Sequence, residues 1–185
     1  DFYMRNVRTR MPFKYGLAIL TSVPILHAIM NVTVEGKRVQ GIAADILPPK
    51  WFDKDPEKEY EDNVEDLLFC ARAAARVYSA VGRSPNTFFS IWQEGYEATL
   101  AAGDTRHLNH LTAAHGSSLM ERALIDACGR GLGLTYFQLI RDNTLDLNLD
   151  CLHAELAGVS PAAALASAPL TSIAIRHTVG LADPI

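Results

Sequence analysis

Two periods divide this chain, and the change between them falls near Pro56. Before it, apolar residues recur at every second position, as on a strand; after it, at every third or fourth, as on a helix. From Ser22 to Val34, Leu26, Ala28, Met30, Val32 and Val34 share one face. Ile25, His27, Ile29, Asn31 and Thr33 take the other, which is half polar. Glu35-Gly36 reads as a hairpin turn, because glycine accepts the backbone angles a tight turn needs. Lys37 to Ile46 then returns antiparallel. Lys37, Val39, Gly41, Ala43 and Asp45 share a face whose small residues admit a close neighbour. A short strand near Tyr3 to Arg8 precedes the hairpin. It is followed by a loop over Met11–Gly16, where Pro12 and Gly16 bracket Phe13, Lys14 and Tyr15.

Past the switch, Tyr60, Val64, Leu67, Leu68, Ala71, Ala75 and Tyr78 keep helical spacing up to Gly82. Asp55 is the expected N-cap and Pro56 the first helical residue. Glu57, Glu59, Glu61 and Asp62 fill the opening turns, where the helix dipole favours negative charge; they read as a solvated start, not a metal site. Ser84-Pro85 opens a second helix carrying Phe88, Ile91, Trp92, Tyr96 and Leu100 as far as Gly103. In the third, Ala113 to Gly129, Leu119, Ala123 and Ala127 are flanked by Met120, Leu124 and Cys128. A stripe that wide predicts a central helix, buried on most sides. Thr135 caps a short helix, Tyr136 to Arg141. Residues 145–156 take no clear assignment. Ser160-Pro161 starts a small alanine-rich helix that stops by Pro169, and Ser172 to Val179 reads as a strand. The fold class is α+β: a three-stranded antiparallel sheet over residues 1–46, packed on a helical bundle over 56–142.

Sheet and bundle are joined by Gly41 to Pro56. Pro48-Pro49 cannot continue a central strand, since proline lacks an N–H and fixes φ. Lys50, Trp51 and Phe52 then set a cation beside two large rings. Two readings stand level: a stiff loop that presents aromatic surface, or a plug for the core beneath it.

Composition narrows the partners. The chain has 185 residues, 49% of them hydrophobic, which provides a sizeable core for one large domain. A formal charge of -4 argues against a nucleic-acid binder, which would need a basic face, and the apolar runs are too short to span a membrane. Cys70, Cys128 and Cys151 are odd in number and far apart, which suits reduced thiols in the cytoplasm. Arg5, Arg8, Arg10 and Lys14 interrupt the apolar run that an N-terminal signal peptide would need.

Candidate chemistry is sparse. His107, His110 and His115 lie close in sequence without an adjoining carboxylate or cysteine motif, so capping or partly buried histidines are expected. Glu121 and Asp126, five apart, fall on different helix faces and are expected to pair with Arg122, Arg130 or another helix. Gly129, Gly131 and Gly133 follow a helix instead of a strand, which makes them a helix stop and not a dinucleotide loop. Ser117-Ser118 beside His115 lacks the strained turn of a nucleophile. The residues assign no catalytic group, no metal ligand and no cofactor.

The order of elements nonetheless resembles a known arrangement. The residues that carry it are Arg10-Met11-Pro12-Phe13-Lys14-Tyr15-Gly16, Ala44 to Asp53, and the central run from Ser118 to Ala127 with Leu132-Gly133-Leu134 behind it. They resemble the N-terminal capping domain of the enolase superfamily, in its mandelate racemase and muconate lactonizing branch. Ile173 to Gly180 resembles the first strand of the barrel that follows such a cap. The likeness implies a cap over residues 1–169 and a first barrel strand over 170–185. It implies that two loops, Met11–Gly16 and Leu47–Asp53, close over the barrel mouth and shape substrate choice. The substrate-facing residues would then be Phe13, Lys14, Tyr15, Lys50, Trp51 and Phe52. In such families Mg²⁺ held by barrel carboxylates stabilises an enolate-like intermediate after a barrel lysine or histidine removes the proton α to a carboxylate. A (β/α)₈ barrel takes about 250 residues, with a floor of about 200. Only one strand follows the cap-like region, so the expectation is a cap truncated before its barrel and inactive by itself. The competing expectations are a stand-alone binding or assembly module, self-associating through 170–185, and a decayed gene product.

Overall fold

The computed structural model describes residues 1–16, 18–83 and 86–176. Three antiparallel strands open the chain: β1 (Phe2–Tyr15), β2 (Ala18–Val34) and β3 (Lys37–Ile46), in spatial order β1-β2-β3. Helices α1 (Tyr60–Val81), α2 (Phe88–Asp104), α3 (His110–Leu132) and α4 (Tyr136–Arg141) follow, with 3-10 turns at Ala154–Leu156 and Pro161–Ala164. The α+β class expected from the two periods is the observed one. The β2–β3 hairpin closes on Glu35 (φ 47°) and Gly36 (φ 77°), the pair of left-handed residues that a two-residue turn requires. Among the described residues no helix is long and apolar enough to cross a membrane.

The register puts Leu26 opposite Asp45 and Ala28 opposite Ala43. Leu26, Ala28 and Ala43 meet Leu67, Ala71 and Ala74 of α1 and Leu119, Met120 and Ala123 of α3 in one core. Helix α3 is central, packed on the sheet, α1 and α2. The small face of β3 lets it come close. A Cβ on Gly41 would stand 1.9 Å from the Ala123 carbonyl oxygen, and one on Gly116 would stand 2.3 Å from that of Cys70. The outer edge of β3 is capped by α3 side chains. Asp126 accepts the Ile42 N–H at 2.8 Å, while Arg122 donates to the Ala44 carbonyl at 3.1 Å and the Asp45 carboxylate at 2.7 Å. The other edge is β1, along which Arg5, Arg8, Arg10 and Lys14 are exposed.

Several boundaries differ from expectation. Met11–Gly16 is not a loop: after an irregularity between Arg8 and Phe13, β1 resumes its ladder, with Phe13 opposite Leu20 and Tyr15 opposite Ala18. Pro12 lies on an edge strand, where a missing N–H breaks no ladder. Helix α1 begins at Tyr60 after Glu59, not at Pro56. Asp55 folds the preceding loop instead, donating its N–H to Asp53 and accepting that of Glu57. Helix α3 starts earlier, at His110, because the Asn109 side chain accepts the Thr112 N–H at 2.8 Å; it ends on Gly133 at φ 68°. The alanine-rich helix shrinks to the 3-10 turn capped by Ser160. Helix α2 begins at Phe88, capped by Thr87; the expected start, Ser84-Pro85, lies outside the described residues. Of the strand expected over 172–179, residues 172–176 join no ladder, and Ile173 and Ile175 are 80% and 93% exposed. Residues 177–185 lie outside the described residues.

Candidate functional site

The end of β1 and the loop after β3 meet at one edge of the sheet. Phe13 and Tyr15 point to the same side of β1, two residues apart, and their ring centroids are 5.9 Å apart. The Tyr15 hydroxyl donates to the Pro49 carbonyl at 2.7 Å, and its ring meets Trp51 edge-on at 5.3 Å. Burial, with the nearby Tyr60 adding to it, raises the Tyr15 pKa above the ordinary phenol range, which keeps this hydroxyl a neutral donor. Trp51 is 53% exposed and Lys14 is exposed. Phe13, Tyr15 and Trp51 thus form one aromatic strip; they are three of the four rings, Phe52 being the fourth, that two bracketed runs flanking one hairpin are expected to bring together.

Phe52 does not join the strip. It packs against the core cluster, its ring 5.2 Å from that of His115. Adjacent side chains point apart, so each of the two sequence readings holds for one ring: Trp51 is presented and Phe52 is the plug.

Lys50 is committed to the loop itself. It sits at φ 59°, its N–H donates to the Asn63 side chain at 2.6 Å, and its ammonium donates to the carbonyls of Asp55 and Lys58. The Asn109 side chain reaches the Phe52 carbonyl at 3.3 Å. The loop is therefore pinned from β1, from α1 and from the start of α3. Beside it, Lys58 bridges Asp53 at 2.7 Å and Asp66 at 2.5 Å. The Lys58 hydrogen bond holds the Asp53 carboxyl below its usual range. Burial works to lower the Lys58 pKa, but its two carboxylate partners outweigh it and leave the ammonium firmly charged.

Of the polar residues beneath the loop, the sequence reading missed Asn63 and Thr112 and expected His115 only as a capping or partly buried histidine. Asn63, Thr112 and His115 are all buried. Burial lowers the His115 pKa, against the pull of Asp45; the Ile46 backbone pulls the same way as Asp45 without reaching hydrogen-bond geometry. Thr112, His115 and Leu119 share one face of α3, so a start at His110 instead of Ala113 would have exposed this polar end of the apolar stripe. Farther along, Asp126 pairs with Arg130 at 2.8 Å, and burial raises the Glu121 carboxyl, with Trp92 alongside favouring its charged form. These two carboxylates play separate parts, as their spacing implied.

No family model matches the chain, and no curated protein matches it.

The residues present do not fit a Mg²⁺ site. Among the described residues no three His, Cys, Asp or Glu side chains are grouped as metal ligands. The close carboxylate pair, Asp53 and Asp66, already holds the Lys58 ammonium between its members. What the edge offers is aromatic surface with a neutral hydroxyl on a rigid backbone, suited to enclosing a ligand and unsuited to moving its protons.

Proposed function

We propose that this chain is the N-terminal capping part of an enolase-superfamily enzyme of the mandelate racemase and muconate lactonizing kind. In this reading it encloses a carboxylate substrate and leaves the chemistry to a barrel. One observation carries the reading. The two segments that resemble the family's closing loops are far apart in sequence, yet Tyr15 of the first bonds to Pro49 and packs on Trp51 of the second. The order of three antiparallel strands before a helical bundle supports it too. Phe13, Lys14, Tyr15 and Trp51 face the substrate, while Lys50 and Phe52 hold the loop in place. In this reading the metal and the proton-abstracting bases belong to the barrel, and the protein works in the cytoplasm.

The test is exchange of the α-proton of carboxylate substrates in deuterated buffer with Mg²⁺. The chain alone should give none. Joined to a barrel of that family it should support exchange, and Trp51→Ala should then change KM between substrates more than kcat. Exchange by the chain alone, or a joined enzyme indifferent to Trp51, overturns the reading.

A second reading, an assembly module, is favoured by the exposed apolar side chains of Leu170, Ile173 and Ile175. Deleting 170–185 separates the two in sedimentation. Oligomers that vanish with the tail support the module; an unchanged monomer supports the cap.

A further inference from the structure

Beneath the pinned loop lies a cavity of about 10 Å³, lined by Pro48, Phe52, Asp53, Asn63, Asp66, Leu67 and Thr112; the Asp53 carboxylate, like that of Asp66, is held by the Lys58 ammonium. Its walls join the loop to α1 and α3. Two of its lining side chains carry buried polar atoms without a hydrogen-bond partner among the described residues, Asn63 Nδ2 and Thr112 Oγ1, and a third, Asp66 Oδ2, is buried against the Lys58 ammonium. The Asp66 oxygen has the Lys58 ammonium 2.5 Å away as a counter-charge, and its other lone pairs remain. Asn63 and Thr112 are only 4% and 2% exposed. Leaving such groups unpaired is unfavourable enough that native proteins nearly always satisfy them.

We infer that Asn63, Asp66 and Thr112 bind one buried water molecule. The size agrees, since a single water needs a cavity on the order of 10–15 Å³. The chemistry also selects it. Asn63 Oδ1 already accepts the Lys50 N–H, which orients the amide and makes Nδ2 a donor toward the cavity. A site with an amide donor and a neighbouring ammonium repels a cation, while a carboxylate oxygen repels an anion. Water alone accepts from Asn63, donates to Asp66 and exchanges either role with Thr112, giving the three bonds typical of a buried water. The water becomes a strut that locks the loop bearing Trp51 onto both helices.

The wild-type chain decides the matter first. A crystal structure should show an ordered water within hydrogen-bond reach of all three atoms, and the Asn63 amide protons should show a nuclear Overhauser effect to a long-lived water. In Thr112→Val, which keeps the shape and removes the hydroxyl, that water should be lost or shortened in residence, with the Lys50 amide exchanging several-fold faster. A dry cavity, another occupant, or direct bonds among the three side chains overturn the inference. So does a water that is unchanged in Thr112→Val.

Discussion

The seam between β3 and α3 and the loop from Leu47 to Lys58 border one another, yet they are built on opposite principles. The seam depends first on the absence of atoms, with the bonds from Asp126 and Arg122 confined to its outer margin. Gly41 has no side chain, and Ala123 and Ala127 of α3 occupy the space beside it. The loop is held by directed polar bonds, from Tyr15 to Pro49, Lys50 to Asn63 and Asn109 to Phe52. Close packing tolerates almost no change of volume, whereas a polar tether tolerates new side chains wherever they point outward. Rigidity of the second kind leaves Trp51 and Phe13 free to vary while their backbone stays in place.

The sharpest way to break the contrast is to add volume at the seam. Gly41→Val must displace α3, and we expect a loss of at least ~3 kcal/mol in urea unfolding. A loss under ~1 kcal/mol would mean that the helix can slide, and the seam would not be close-packed in solution. In the loop, Phe52→Ala should come next, at about 2 kcal/mol, less than for a fully buried ring because Phe52 is only half-buried.

The third effect is one of pH. His115 is held neutral by burial, so its folded pKa lies below the unfolded value of about 6.5. The unfolded chain then binds the proton first, and stability falls as pH drops from about 6.5 through the folded pKa. Glu121, whose pKa is raised by burial, acts in the opposite sense, since acid relieves it of a buried charge. Comparing wild type with His115→Leu isolates the histidine. The acid-side loss beginning near pH 6.5 should be present in the first and absent in the second. Equal slopes would assign that loss to other groups.

The smallest effect should be that of Trp51→Ala. Half exposed and carried by a tethered backbone, it should change stability by no more than ~0.5 kcal/mol. A loss comparable to that of Phe52→Ala would erase the difference between presented ring and plug.

These contrasts were only partly legible in advance. Strand β3 was read to the residue because punctuation bounds it on both sides, Glu35-Gly36 before and Pro48-Pro49 after. Helix α4 was equally clear, since Thr135 and Gln138 form a reciprocal cap that needs no tertiary context. The start of α1 was misplaced for the converse reason. Asp55-Pro56 has the local chemistry of a helix start, but Lys50 and Lys58 draw the segment into a loop through contacts no local rule contains. Pro12 was read as loop punctuation because the edge position that excuses it in a strand is a property of the sheet, not of the dipeptide. Trp51 and Phe52 were inseparable in sequence, since which of two adjacent rings turns inward depends on Lys50 taking a left-handed backbone. The aromatic strip itself was foreseen, as two bracketed runs flanking one hairpin.

The two margins of the sheet carry a last consequence. On the β3 margin the Ile42 N–H and the Ala44 carbonyl are occupied by Asp126 and Arg122, so a strand adding across them must displace α3 side chains. Among the described residues no strand pairs with the β1 margin, and an unpaired edge is of the sort on which fibrils grow. A second chain adding antiparallel to it would bring Arg5, Arg8, Arg10 and Lys14 against the same cations of its neighbour. Mutual repulsion opposes that pairing, and it weakens as salt shortens the Debye length from about 10 Å at 0.1 M to about 3 Å at 1 M. Colloidal behaviour in this protein is thereby tied to ionic strength, through a strand that contributes little to the core.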